Sequence, residues 1–141
     1  MKPTLQRYIS KKLDGVEGEL PRLKKMFSKS FSARNFRLFW NAWNPIYTYV
    51  LTYYVYSPLR KKLNKSIALV LTFLINGLFH DIVVLLVLKE TSFNVSKLFI
   101  LYGLLVLLES KIQVDIKGII NRVIYNMVLL IGPVLFIILM N

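Results

Sequence analysis

The sequence predicts an all-α membrane protein, with about three transmembrane helices preceded by amphipathic, interfacial helices at the N-terminus. Three observations carry that expectation. Hydrophobic residues fill 55% of the 141 positions and charged residues only 18%, against roughly 25% charged in a soluble domain; mean hydropathy is +0.52. Two runs, Ser66 to Leu88 and Val123 to Met140, are apolar over the ~20 residues that a bilayer crossing needs. Charge is lopsided: the net is +12, and residues 1–37 hold ten Lys or Arg against three acids. Two units follow, a basic amphipathic cytoplasmic segment over residues 1–37 and a membrane domain over residues 38–141.

In the first unit Leu5, Ile9 and Leu13 recur four apart among Arg7, Lys11 and Lys12. That spacing gathers the apolar side chains on one helix face, which suits a helix lying on the membrane surface; a plain solvated helix fits so short a stripe equally. Gly15, Gly18 and Pro21 break the pattern, and Leu23 to Phe31, with Lys24, Lys25 and Lys29, resumes it. No long apolar core ends in a small-residue cleavage site, so the segment is expected to stay attached. Cations ahead of the first apolar segment predict a cytoplasmic N-terminus and attraction to anionic headgroups. Nucleic acid is not expected as a partner, because a membrane segment follows the basic run rather than a soluble module.

Leu38 to Leu59 is long enough to cross, but Asn41, Asn44 and Pro45 interrupt its first third. Eight of its residues are Phe, Trp or Tyr, and Trp and Tyr settle at headgroup level. Basic residues flank both ends, Arg34 and Arg37 before and Arg60 to Lys65 after, so an embedded, non-spanning segment is expected. Ser66 to Leu88 is the first clear span. Lys97 to Leu108 is short and interrupted by Gly103, and crosses only by borrowing Phe93 to Ser96 or by thinning the bilayer. Glu109 to Arg122 reads as a polar connector. Val123 to Met140 is the last span, kinked at Gly132-Pro133, where a freed carbonyl needs a neighbour's donor.

The single histidine lies inside the clearest span. Ionisable groups at a bilayer centre cost roughly 2.5 to 3.5 kcal/mol on insertion scales, so one kept there is a functional candidate. Residues four apart share a helix face, which lines up Thr72, Asn76 and His80, with Gly77 and Asp81 beside them. Such a stripe faces a functional cavity, or it joins helices by hydrogen bonds with Gly77 allowing close approach. Asn76, one turn before His80, either fixes the imidazole ring or pairs with another helix. Asp81 sits about 100° around from His80 and reads as a protonated or paired structural carboxyl. Cysteine is absent, which excludes disulfides, thiolate metal sites and a cysteine nucleophile. With one His and seven carboxylates mostly outside the spans, no metal site is expected.

Phe39-Trp40, then Trp43-Asn44-Pro45, then an aromatic stretch ending Val55-Tyr56-Ser57-Pro58-Leu59, a basic break, and Thr72 to Asp81 (TFLINGLFHD) follow in order. This order resembles the C-terminal signature of the membrane-bound O-acyltransferase (MBOAT) family, including its wax-synthase-like branch, over about a third of the chain. In that family an Asn or His in the aromatic segment and an invariant His in the next apolar helix form the active site. Asn44 and His80 occupy those positions, with Trp43 beside Asn44. Asp81 stands where the family usually has Glu. Family members are generally several times longer, so the resemblance implies a reduced form, a chain that pairs with copies or with a larger subunit, or part of a larger enzyme.

The chemistry so implied is O-acyl transfer. An alcohol attacks an acyl donor well only when a base takes its proton, and a neutral imidazole suits that task. His80 is the expected base, and Asn44 would orient the donor or stabilise the oxyanion. The donor would be acyl-CoA or an acyl carrier protein, drawn by the basic flanks, and the acceptor a membrane lipid alcohol; no cofactor beyond the acyl-CoA co-substrate is implied. Because three spans enclose little volume and the polar stripe needs cover, a homo-oligomer or a second membrane subunit is expected. Two other readings remain open: a non-catalytic membrane subunit or degenerate relative, and a small conduit lined by Thr72, Asn76 and His80.

Overall fold

A computed structural model describes residues 2–90 and 92–140, which are helical nearly throughout. Helix α1 spans Leu5–Lys12, α2 Glu19–Phe31, α3 Phe36–Ala42, α4 Pro45–Val50, α5 Ser57–Lys62, α6 Lys65–Leu88, α7 Asn94–Ile112 and α8 Ile119–Met140; a π-helical stretch, Leu51–Tyr56, joins α4 to α5. Short polar side chains start several of them. Asn35 accepts from the Leu38 N–H and Asn64 from the Ile67 N–H, both at 2.9 Å, satisfying donors that a helix N-terminus leaves unpaired.

Two helices, α6 and α8, are long and apolar enough to cross a membrane. Between them α7 runs for 19 residues, so the helix expected over Lys97 to Leu108 extends by about a turn at each end. Lys97, Glu109 and Lys111 leave it outside the helices apolar enough to cross, and two candidate spans stand among the described residues where about three were expected. Gly103 does not interrupt α7. A Cβ there would lie 3.0 Å from Phe73 Cβ, and one at Gly77 would lie 2.6 Å from Ser96 Cα. These glycines let α6 and α7 approach closely, as small residues do between membrane helices. The paired contacts, Gly77 with Ser96 and Phe73 with Gly103, run in opposite senses along the chain, so the two helices are antiparallel.

The polar connector is shorter than the sequence suggests. Glu109 belongs to α7 and is buried, Arg122 belongs to α8, and only residues 113–118 link the helices. In α8 the missing N–H of Pro133 deprives the Leu129 carbonyl of its partner. On the next carbonyl, that of Leu130, the buried Tyr102 hydroxyl donates a 2.6 Å hydrogen bond. Most of α8 and the C-terminal half of α6 expose large apolar side chains, among them Leu86, Val87, Ile120 and Leu139, the arrangement that lipid requires.

The core is an aromatic cluster of Phe36, Phe39, Phe99 and Tyr102 with Val106, against which Trp40, Trp43 and Phe73 pack. Through it α3 lies on α7 and α8, and α6 on α7. The N-terminal helices dock on this body. Tyr8 meets Tyr49 edge-on at 5.3 Å, the Tyr49 hydroxyl donates to the Pro3 carbonyl at 2.9 Å, and α2 packs against α3 and α8. Between α1 and α2, Lys25 and Lys29 hold Asp14 at 3.0 and 2.8 Å, and their hydrogen bonds keep its carboxyl below the usual range.

Candidate active site

The Trp43-Asn44-Pro45 break builds one wall of the site. Pro45 suits the first turn of α4, where an N–H is not needed, and it disfavours a right-handed helical residue before it. Asn44 takes the left-handed conformation, φ 41°, rather than the extended one usual before proline, and asparagine tolerates it better than most residues. Its Oδ1 accepts from the Tyr47 N–H at 3.3 Å, and its carbonyl accepts from Thr48 N–H at 2.9 Å and Thr48 Oγ1 at 3.1 Å. Its own N–H points at Met26 Sδ, 3.3 Å away on α2. With Oδ1 engaged, Asn44 has its amino group left to offer.

His80 supplies the facing wall from α6. Its Nδ1 lies 2.8 Å from the Asn76 carbonyl one turn earlier. A carbonyl only accepts, so Nδ1 carries the hydrogen and Nε2 holds the lone pair. The ring is half-buried, stacked on Phe99 of α7 with centroids 5.1 Å apart and 5.8 Å from the Tyr47 ring of α4. The contact that Asn76 makes with the imidazole is through its backbone carbonyl rather than its side chain.

Asn44 and His80 line one cavity of about 440 Å³. Thr72, Asn76 and Trp43 line it too, so five of the six sequence-derived site residues converge on the same space. The Thr72 hydroxyl donates back to the Ala68 carbonyl at 2.7 Å, while Trp43 stacks on Phe39 at 5.5 Å. Arg37 and Lys65 add positive charge to the lining. Within the chain, residues of α3, α4 and α7 line this cavity together with the polar stripe of α6.

Asp81 lies outside that lining. It is 2% exposed, and its carboxylate accepts from Val95 N–H at 3.3 Å, Ser96 N–H at 2.8 Å and the Ser96 hydroxyl. A carboxylate of α6 therefore caps the first turn of α7, where the helix dipole favours negative charge. Glu109, which the sequence reading placed in a connector, repeats the device. It is 5% exposed and accepts from the Phe36 and Arg37 N–H groups at 2.9 Å, and from the Tyr125 hydroxyl at 2.7 Å. Glu109 fixes the start of α3, and with it Arg37, Trp40 and the approach to Asn44.

The model of the membrane-bound O-acyltransferase (MBOAT) family matches residues 8–141. The chain belongs to the MBOAT family. No curated protein and no solved structure matches it. The match extends the resemblance, first carried by about fifty residues, back through α2 to residue 8 within α1 and forward over α7 and α8. As an MBOAT chain with two long apolar helices it is an integral membrane protein, and the family implies O-acyl transfer with acyl-CoA and lipid substrates.

Proposed function

We propose that this MBOAT chain moves a fatty acyl group from acyl-CoA, or from an acyl carrier protein, to the hydroxyl of a membrane lipid or alcohol, in the manner of the wax-synthase-like branch. One observation carries the reading: Asn44 and His80 line a single cavity with the His80 Nε2 lone pair available, because Nδ1 is committed to the Asn76 carbonyl. Nε2 takes the hydroxyl proton as the oxygen attacks the thioester carbonyl. The Asn44 amino group donates to the oxyanion. Collapse re-forms the carbonyl and expels the thiolate, which takes the proton back from His80. Arg37 and Lys65 in the lining suit the phosphates of the donor, and the basic N-terminal segment and Arg60–Lys65 turn are assigned to the cytoplasmic face.

The test offers labelled acyl-CoA and a panel of lipid alcohols to the purified chain in nanodiscs. Wild type should form ester, and His80→Ala should form it roughly 10²- to 10⁴-fold more slowly at equal expression and insertion. Asn44→Asp keeps the oxygen that caps α4 but removes the amino donor, and should lower the rate by roughly 10²- to 10³-fold. Wild-type turnover by His80→Ala would remove the base assignment. No turnover by wild type with any pair would favour a non-catalytic membrane subunit.

A further inference from the structure

Helices α1 and α2 are both basic and amphipathic, and the fold uses their apolar faces differently. On α1 that face is spent on protein: Leu13 is buried, Ile9 is half-buried, and Tyr8 packs on Tyr49 and Tyr53. On α2 it is open. Leu20, Leu23 and Phe27, at the i, i+3, i+7 spacing of one face, are 62%, 49% and 46% exposed. Lys24, four residues after Leu20 and so on the same side, is exposed and has no acid partner among the described residues, whereas Lys25 and Lys29 hold Asp14.

Helix α8 sets the depth of this face. Arg122 is the last charged residue of α8, so the polar edge of that span lies near it. Asn126 follows by four residues, about 6 Å of helix rise, and its amide donates to the Phe31 and Ala33 carbonyls at the end of α2. The end of α2 is therefore held inside the polar edge, within the roughly 5 to 10 Å at which interfacial amphipathic helices lie. We propose that α2 is an interfacial helix seated in an anionic leaflet, with Leu20, Leu23 and Phe27 among the upper acyl carbons and Lys24 reaching back to headgroup phosphates. Residues 1–37 hold ten Lys or Arg against three acids, an excess that anionic lipid attracts and that a second copy, equally basic, would repel. Met26 of the same helix accepts the Asn44 N–H, so the leaflet and one wall of the cavity share α2. The contact with lipid holds whether or not the chain transfers acyl groups.

Fluorescence quenching tests the seat of the helix. The chain has no cysteine, so a bimane on one introduced thiol reports one position. The single variants Leu20→Cys, Leu23→Cys, Gln6→Cys on α1 and, as a lipid-facing reference, Leu139→Cys on α8 are labelled in nanodiscs of phosphatidylcholine and phosphatidylglycerol. Acyl chains brominated at their upper carbons should quench the α2 labels, and brominated acyl chains the α8 label, whereas aqueous iodide should quench the label at Gln6→Cys. Iodide quenching of the α2 labels to the level seen on α1 overturns the proposal. So does protection of the α2 labels from both quenchers, which would mean that a second copy or another protein covers the stripe. If Leu23→Cys fails to fold, Leu20→Cys decides it.

The charge of the leaflet is tested with the same labels. At equal mole fraction, bromine carried on phosphatidylglycerol should quench the α2 labels about twofold to fivefold more than bromine carried on phosphatidylcholine. Adding Lys24→Glu should remove most of that difference while acyl-chain quenching remains. Equal quenching by the two lipids before Lys24 is changed, or a difference that Lys24→Glu leaves intact, overturns the proposal.

Discussion

Helices α6 and α8 look alike as text and differ as structure. They have 24 and 22 residues, and their most apolar stretches have hydropathies of 2.2 and 2.5, yet 22% of that stretch is buried in α6 and 6% in α8. The difference lies in the polar residues. Thr72, Asn76, Gly77 and Asp81 are buried along α6, whereas Asn126 is the buried residue of α8. In lipid an apolar side chain is content on either side, so hydropathy cannot tell inside from outside. A polar group has only the inside, and its periodicity marks the face that meets the rest of the protein.

The sharpest way to break this comparison is to remove polar residues from both helices, two from α6 and one from α8. The largest effect expected is in His80→Ala, a loss of roughly 10²- to 10⁴-fold in rate with little change in the melting temperature in detergent. Asp81→Leu, one residue further along α6, should act oppositely. It strips the cap from the Val95 and Ser96 N–H groups and should cost about 3 kcal/mol or more, seen in thermal unfolding. If Asp81→Leu melts like wild type, the carboxylate is not what holds the start of α7.

On α8, the Asn126 amide donates to the Phe31, Ala33 and Arg122 carbonyls at 3.2, 2.8 and 2.9 Å, tying α8 to the end of α2. Asn126→Leu should lower stability by about 2 kcal/mol while the rate per folded molecule stays near wild type. A loss of rate without a loss of stability would mean that α8 takes part in the chemistry, and the contrast between the helices would fail.

The stripe Thr72, Asn76, His80 was legible because four-residue spacing on a long helix fixes a common face. The pairing of His80 with Asn44 came from the resemblance, since nothing local in Trp43-Asn44-Pro45 tells which helix it will face. The Asp81 offset from His80 suggested a structural role, but its partners lie fourteen and fifteen residues away across a turn. Glu109 was missed because a charge followed by Ser110 and Lys111 reads as the end of an apolar run. The signal was present: Tyr102, Val106 and Glu109 are all buried, at the i, i+4, i+7 spacing of one face. Following that period through the charge, rather than stopping at it, would have placed Glu109 inside.

The smallest effects separate the helices by their glycines. Gly77→Ala puts a Cβ 2.6 Å from the Ser96 Cα, against backbone that cannot swing aside, and 3.0 Å from Phe99 Cβ, beside the ring on which His80 stacks. It should cost about 1 to 2 kcal/mol by overpacking and disturb His80 as α6 and α7 part. At Gly132 a Cβ meets nothing within 4 Å. Alanine there gains roughly 1 kcal/mol of helix propensity over glycine, offset by the restriction that Pro133 places on the residue before it. Gly132→Ala should therefore leave both melting temperature and rate close to wild type. A clear destabilisation would show that this face of α8 is packed against something in the membrane, and that α8, like α6, has an inside.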